Sequence, residues 1–128
     1  MWTSRFRRIR HRWLLAPYAC LVLVGGTLPA VSMAQQADFT LNIVEPSVSD
    51  PLSWGFDLAN LSASSGQSIM WTNTGAQAHT ITADDASFDS GTIDPGGTFS
   101  FSPSIPGTYA YHCTPHPWMK GTITVTGG

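Results

Sequence analysis

From Asp38 onward the sequence predicts an all-β domain, a sandwich or a barrel of short strands. Apolar and polar residues alternate with period two in run after run. Clusters of turn-forming residues separate the runs at short intervals, and no segment sustains the three-to-four-residue apolar repeat of a helix. Successive strand side chains point to opposite faces, so this alternation marks surfaces buried on one side only.

Taken in order, Phe39, Leu41 and Ile43 share one face of a first strand. Glu45 to Ser65 is less regular: Trp54-Gly55-Phe56-Asp57-Leu58 reads as an irregular strand and Ser62 to Gly66 as loop. Ile69 and Trp71 begin the next clear run, which ends at the turn residues Asn73-Thr74-Gly75. His79, Ile81 and Ala83 have one parity and predict a further strand. Asp94-Pro95-Gly96-Gly97 is a turn, after which Phe99 and Phe101 share a face. Pro106-Gly107 precedes Tyr109, Tyr111 and Cys113, and Ile123 and Val125 follow, interleaved with Thr122, Thr124 and Thr126. β-Branched and aromatic residues at this density suit half-buried sheet.

The N-terminus is of another kind. All five arginines fall between Arg5 and Arg12, and an apolar run from Trp13 to Ala30 leads into Val31-Ser32-Met33-Ala34. A basic start, an apolar middle and a small-residue ending form the pattern of a cleavable export signal, with cleavage expected after Ala34. This gives two segments, residues 1–34 as signal peptide and residues 35–128 as one domain. An uncleaved anchor is the competing reading, since Trp13 to Ala34 is long enough to span a bilayer; Pro17, Pro29 and Gly25-Gly26 count against it. Arg7-Arg8 invites a twin-arginine route, which the flanking residues fit poorly.

Removing the signal changes the charge. The full chain carries a formal −2, whereas the remainder keeps one base, Lys120, against eight acids, a formal −7. Such a surface repels nucleic acid and would steer basic protein partners. Cys20 leaves with the signal, so Cys113 is the lone thiol of an exported domain and has no internal disulfide partner. Free thiols are uncommon where the compartment oxidises them, and permanent metal coordination is one explanation for this one.

The chemistry concentrates in Cys113-Thr114-Pro115-His116-Pro117-Trp118-Met119. A thiolate, an imidazole and a thioether recur at three-residue steps in a Pro-containing loop that can aim all three at one point. A trigonal His₂Cys site with a weak axial Met holds copper for electron transfer, so one more histidine is required. The candidates are His79 and His112. Adjacent strand residues cannot both face one metal, and His112 has the parity opposite to Cys113. His79 has the parity of Ile81 and Ala83 and begins a strand just past a turn, which makes it the better ligand. Taken singly, His79 could be a satisfied strand-end residue, Met119 core filler, His116 a surface histidine and the prolines a turn. A lone thiol three residues from a histidine is what those separate readings leave unexplained. Structural zinc sites favour several cysteines and do not usually take methionine. A cysteine nucleophile would need a polar group to orient its histidine, and the loop offers none. Copper suits the S, N, N, S set best.

With these residues the sequence resembles a cupredoxin, a type 1 blue-copper protein, and within that family the amicyanin branch near plastocyanin and pseudoazurin. The resemblance rests on the Cys113-to-Met119 loop with its short His-to-Met spacing. Trp71-x-Asn73 before His79, Phe88-Asp89-Ser90-Gly91, Asp94-Pro95-Gly96, Pro106-Gly107-Thr108-Tyr109 and Gly121-x-Ile123-x-Val125 extend it. It runs from about Ile69 to Val125, and Trp118 stands where amicyanins usually carry phenylalanine. It implies an eight-stranded Greek-key sandwich with one copper ion at one end. His79, Cys113 and His116 would be equatorial ligands and Met119 the axial one. Asn73 would be the asparagine whose hydrogen bonds tie the first ligand loop to the cysteine loop. The edge of His116 would reach the surface through an apolar patch that includes Pro115, Pro117 and Trp118.

The function expected is that of an exported one-electron carrier, periplasmic and monomeric, cycling copper between Cu(II) and Cu(I). Resemblance to amicyanin suggests a c-type cytochrome and a periplasmic dehydrogenase as partners. An enzyme is not expected: a copper oxidase or nitrite reductase needs further clustered histidines, and the segment after the signal has three in all. A two-copper site of the CuA type needs a second cysteine. The alternative from another class is a copper-binding or delivery protein of the same fold without an electron-transfer role; methionine-rich delivery motifs are absent from the sequence.

Overall fold

The computed structural model describes residues 36–128. The basic segment, the apolar run with Cys20 and the expected cleavage after Ala34 lie outside the described residues. Eight strands follow in chain order: β1 (Phe39–Val44), β2 (Gly55–Phe56), β3 (Asn60–Ser64), β4 (Ile69–Asn73), β5 (Thr82–Ala83), β6 (Thr98–Phe101), β7 (Gly107–His112) and β8 (Lys120–Thr126). One 3-10 turn, Pro51–Ser53, lies between β1 and β2.

The strands make two four-stranded sheets, ordered β2-β1-β4-β6 and β3-β8-β7-β5. Pairing of β1 with β4 and of β3 with β8 is parallel, and the other pairs are antiparallel. Parallel neighbours cannot be joined by a hairpin, so the chain passes from one sheet to the other between them, as in Greek-key sandwiches. Three of the four edges are short: β2 and β5 have two residues each and β6 four. Short edges offer little template for unwanted pairing.

The predicted alternation governs burial. Leu41, Ile43, Ile69 and Trp71 of one sheet and Tyr111, Ile123 and Val125 of the other are within the core. Phe99 and Phe101 are half-buried because β6 is an edge strand. The turn at Asp94–Gly97 closes with the Gly97 N–H donating to the Asp94 carbonyl at 2.8 Å. Pro95 sets the first corner, and Gly96, at φ 80°, supplies the left-handed second one.

Two expectations change. Ser62 to Ser64 belong to β3, paired in parallel with β8, and only Ser65 and Gly66 turn. This strand was hard to see because its inward residues are only Leu61 and Ala63, flanked by residues of low strand preference. The run from His79 is a strand only at Thr82–Ala83; His79 itself makes a single bridge pair with Ile93. Its side chain nevertheless keeps the inward parity, and His79 and Ile81 are fully buried.

Candidate metal centre

The Cys113-to-Met119 segment is the connection of the β7–β8 hairpin. Two successive turns build it. The His116 N–H donates to the Cys113 carbonyl at 3.1 Å, and the Met119 N–H donates to the His116 carbonyl at 2.9 Å. The Cys113 N–H closes the loop on the Met119 carbonyl at 3.1 Å. Each three-residue step in the sequence is thus one hydrogen-bonded turn, and Pro117 presets the backbone at the first corner of the second. Cys113 and Met119 are buried, while His116 is partly exposed.

His79 arrives from the other direction, on the segment that bridges to Ile93. Its Nδ1 lies 3.5 Å from Cys113 Sγ and 3.1 Å from His116 Nδ1, and His116 Nδ1 lies 3.6 Å from the same sulfur. A point equidistant from these three atoms is about 2.0 Å from each, the length of a metal–imidazole bond. His79, Cys113 and His116 therefore present one donor atom each around a single ion. His112 points away and meets Asp84 at 2.6 Å, as its strand parity required.

Burial pushes the Cys113 thiol above its ordinary range. His116 is held below the usual imidazole value, by burial first and then by the neighbouring His79 imidazole, beside which a second positive charge would be repelled, with Glu45 acting the other way. A thiol must lose its proton to bind a metal, and an imidazole must be neutral to do so.

Hydrogen bonds lock the two halves together. The Thr80 N–H reaches Cys113 Sγ at 3.4 Å, and the Thr114 N–H donates to Thr80 Oγ1 at 2.8 Å. Thr82 Oγ1 joins this group, 2.9 Å from Thr80 Oγ1 and 3.1 Å from Thr114 Oγ1. Asn73, fully buried, does a different job from the one its resemblance implied. Its Nδ2 donates to the carbonyls of Gln77 and Ile93 at 2.7 and 2.9 Å, and its Oδ1 accepts from the Gly75 N–H at 3.0 Å. Those bonds shape the loop leading to His79, whereas the tie to the cysteine loop is made by Thr80.

The irregular segment after β1 also reaches the site. Glu45 Oε1 lies 2.8 Å from His79 Nε2, and the Trp54 ring meets His116 edge-on with centroids 5.1 Å apart. The Trp118 ring also packs near His116, with centroids 5.4 Å apart. Trp54 Nε1–H donates to the Ser47 carbonyl and Trp118 Nε1–H to the Pro51 carbonyl, which clips this segment over the loop. Sequence reasoning singled out neither Glu45, Trp54 nor Thr80 as a site residue. No spacing motif contains them, and Thr80 meets the cysteine loop through both its backbone N–H and its Oγ1.

A family model described as copper binding proteins of the plastocyanin/azurin family matches residues 47–126. The chain is 30% identical over 122 residues to amicyanin-alpha of Methylorubrum extorquens, covering 88% of this chain and 92% of that one. It is 27% identical over 125 residues to chloroplastic plastocyanin of Hordeum vulgare, covering 87% and 72% respectively. Among solved structures, a purple cupredoxin from Nitrosopumilus maritimus matches with a TM-score of 0.61 at 27% identity, over 70% of this chain and all of that one. A reduced Cu(I) form of an amicyanin variant matches with a TM-score of 0.60 at 24% identity, covering 74% and 87%, a likeness of fold.

Proposed function

The chain belongs to the copper-binding plastocyanin/azurin family, as an amicyanin-like cupredoxin, and from that premise we propose that it is an exported one-electron carrier between redox partner proteins. The observation that carries the reading is the triangle of His79 Nδ1, Cys113 Sγ and His116 Nδ1, fixed from two sides by separate hydrogen bonds. A copper ion bound there would supply the Cu(II)/Cu(I) couple, taking one electron from a reduced donor and passing it to an oxidised acceptor.

The residues serve that exchange by moving little. Two of the three donor residues are fully buried and the third sits in a doubly hydrogen-bonded loop, so a change of charge meets a site already set in shape. Met119 would add a thioether to the donor set, a reading supported by its burial and its place at the loop's closing bond. Asn73 keeps the loop before His79 in shape.

His116 is the exit for the electron. Pro115, Pro117 and Trp118 are exposed around it, Trp118 at 40%, and offer an apolar contact patch of the kind a transient encounter uses. The acidic surface adds steering toward a basic partner face, such as that of a c-type cytochrome, or toward a periplasmic dehydrogenase. No helix among the described residues is long and apolar enough to cross a membrane. The carrier acts as a monomer in the periplasm after residues 1–34 are removed.

The test is the visible and EPR spectrum of the Cu(II)-loaded protein beside Cys113→Ser. Intense blue absorption with narrow copper hyperfine splitting, lost in the variant, is the expected result. A pale Cu(II) spectrum unchanged by the substitution would sink the assignment. A delivery role predicts transfer of copper to an apo acceptor faster than any electron exchange with a partner.

A further inference from the structure

The side chain of Glu45 is 5% exposed, and that of His79 is wholly buried beside it. Glu45 Oε1 accepts from the Gln77 N–H at 2.8 Å and faces His79 Nε2 at 2.8 Å. A neutral imidazole carries one N–H, and a carboxylate can only accept. The proton of His79 therefore sits on Nε2, and the Nδ1 lone pair is left facing Cys113 Sγ and His116 Nδ1. Space for this arrangement comes from Gly75: a Cβ there would overlap the Glu45 carboxyl group. Gly75 is itself held by Asn73, whose Oδ1 accepts its N–H.

We propose that Glu45 is the positioning residue of the copper site, seated against Gly75, where it fixes the His79 tautomer and sets one full negative charge an imidazole ring away from the metal. The inference rests on the copper reading above. Carboxylates bonded to the far nitrogen of a ligand histidine orient the ring and raise its basicity. A fixed negative charge at that distance also favours the more positive metal, so Glu45 weights the couple toward Cu(II). A lone acid in the least regular part of the chain thus acts on a ligand 34 residues away.

Two measurements separate this inference from its premise. In the copper-free protein, ¹⁵N NMR of the histidine side chains reports the tautomer without any metal. A protonated Nε2 and bare Nδ1 at His79 are expected; the opposite tautomer overturns the proposal even if the protein binds copper. In the copper-loaded protein, the oxidised-to-reduced ratio is read against one fixed redox buffer for four variants. Glu45→Gln keeps an acceptor and removes the charge, and is expected to lower the ratio about tenfold while the blue spectrum persists. Glu45→Ala and Gly75→Ala remove or displace the carboxylate, and are expected to lower the ratio similarly and weaken Cu(II) affinity ~10- to 100-fold. Asp85→Asn, a charge change at an exposed residue, is expected to leave both within twofold. Ratios for Glu45→Gln and Glu45→Ala within twofold of the parent would reduce Glu45 to a packing residue and overturn the proposal. Absence of blue copper in the parent protein would overturn the premise, and this inference with it.

Discussion

Tyr111 is 1% exposed, and its hydroxyl accepts the Trp71 Nε1–H at 3.3 Å. Burial drives its phenol up to about 12, against the opposing pull of that hydrogen bond, from an ordinary value of 10.0. The folded state therefore favours the neutral phenol. Its contribution is fully present below about pH 10 and is lost as the pH rises to about 12, roughly 2–3 kcal/mol at 1.36 kcal/mol per unit. Urea midpoints measured between about pH 9 and pH 12 should fall less steeply for Tyr111→Phe than for the parent. Equal slopes would show that the phenol ionises without cost to the fold. At this scale the sequence was legible where parity and spacing speak. His79 could be separated from His112 because neighbouring strand residues face opposite ways, and the Cys-His-Met steps foretold a loop of turns. Glu45 was illegible because an isolated acid carries no period, and its partner is distant in the chain. Asn73 was recognisable as a residue beside the site, but its acceptors are backbone carbonyls, which no side-chain pattern reports.

At the scale of the element, the hairpin β7–β8 shows how the sheet carries the loop. Tyr111 pairs across the strands with Gly121, and its ring covers the space where a side chain on Gly121 would lie. An aromatic ring folded over a cross-strand glycine restores the packing that glycine lacks. Gly121→Ala would push the ring from a site already filled by Trp71 and Phe56, the latter with its centroid 4.9 Å away. We expect a loss of ~1–3 kcal/mol, read as a lower urea midpoint with unchanged slope. A midpoint equal to the parent's would mean that the ring moves freely. Strands with large alternating residues were the readable ones: β1, β4, β7 and β8 emerge from their apolar parity. β3 offers only Leu61 and Ala63 inward, whereas β2 lies inside the irregular run from Trp54 to Leu58 and β5 is the end of the run from His79 to Ala83, each shorter than its sequence run. Their extents are decided by the strands they pair with, which is tertiary information.

At the scale of the whole molecule, composition bounded the fold and the charge, and the family match agrees with both the two-sheet architecture and the single-ion donor set. The switch from a basic N-terminus to a domain with one lysine is read as a division between targeting and function. Protein purified from the periplasm should begin at Gln35 by intact mass; a mass matching the full chain would favour the anchor. The sandwich also imposes an order on its own making. In its sheet β3 has a single neighbour, β8, and that partner is the last strand in the sequence. A polypeptide still being synthesised has nothing to receive residues 60–64 until residues 120–126 have been added. The sheet that carries the cysteine loop therefore closes only once its last strand is available, so the loop and its donor atoms reach their final places late.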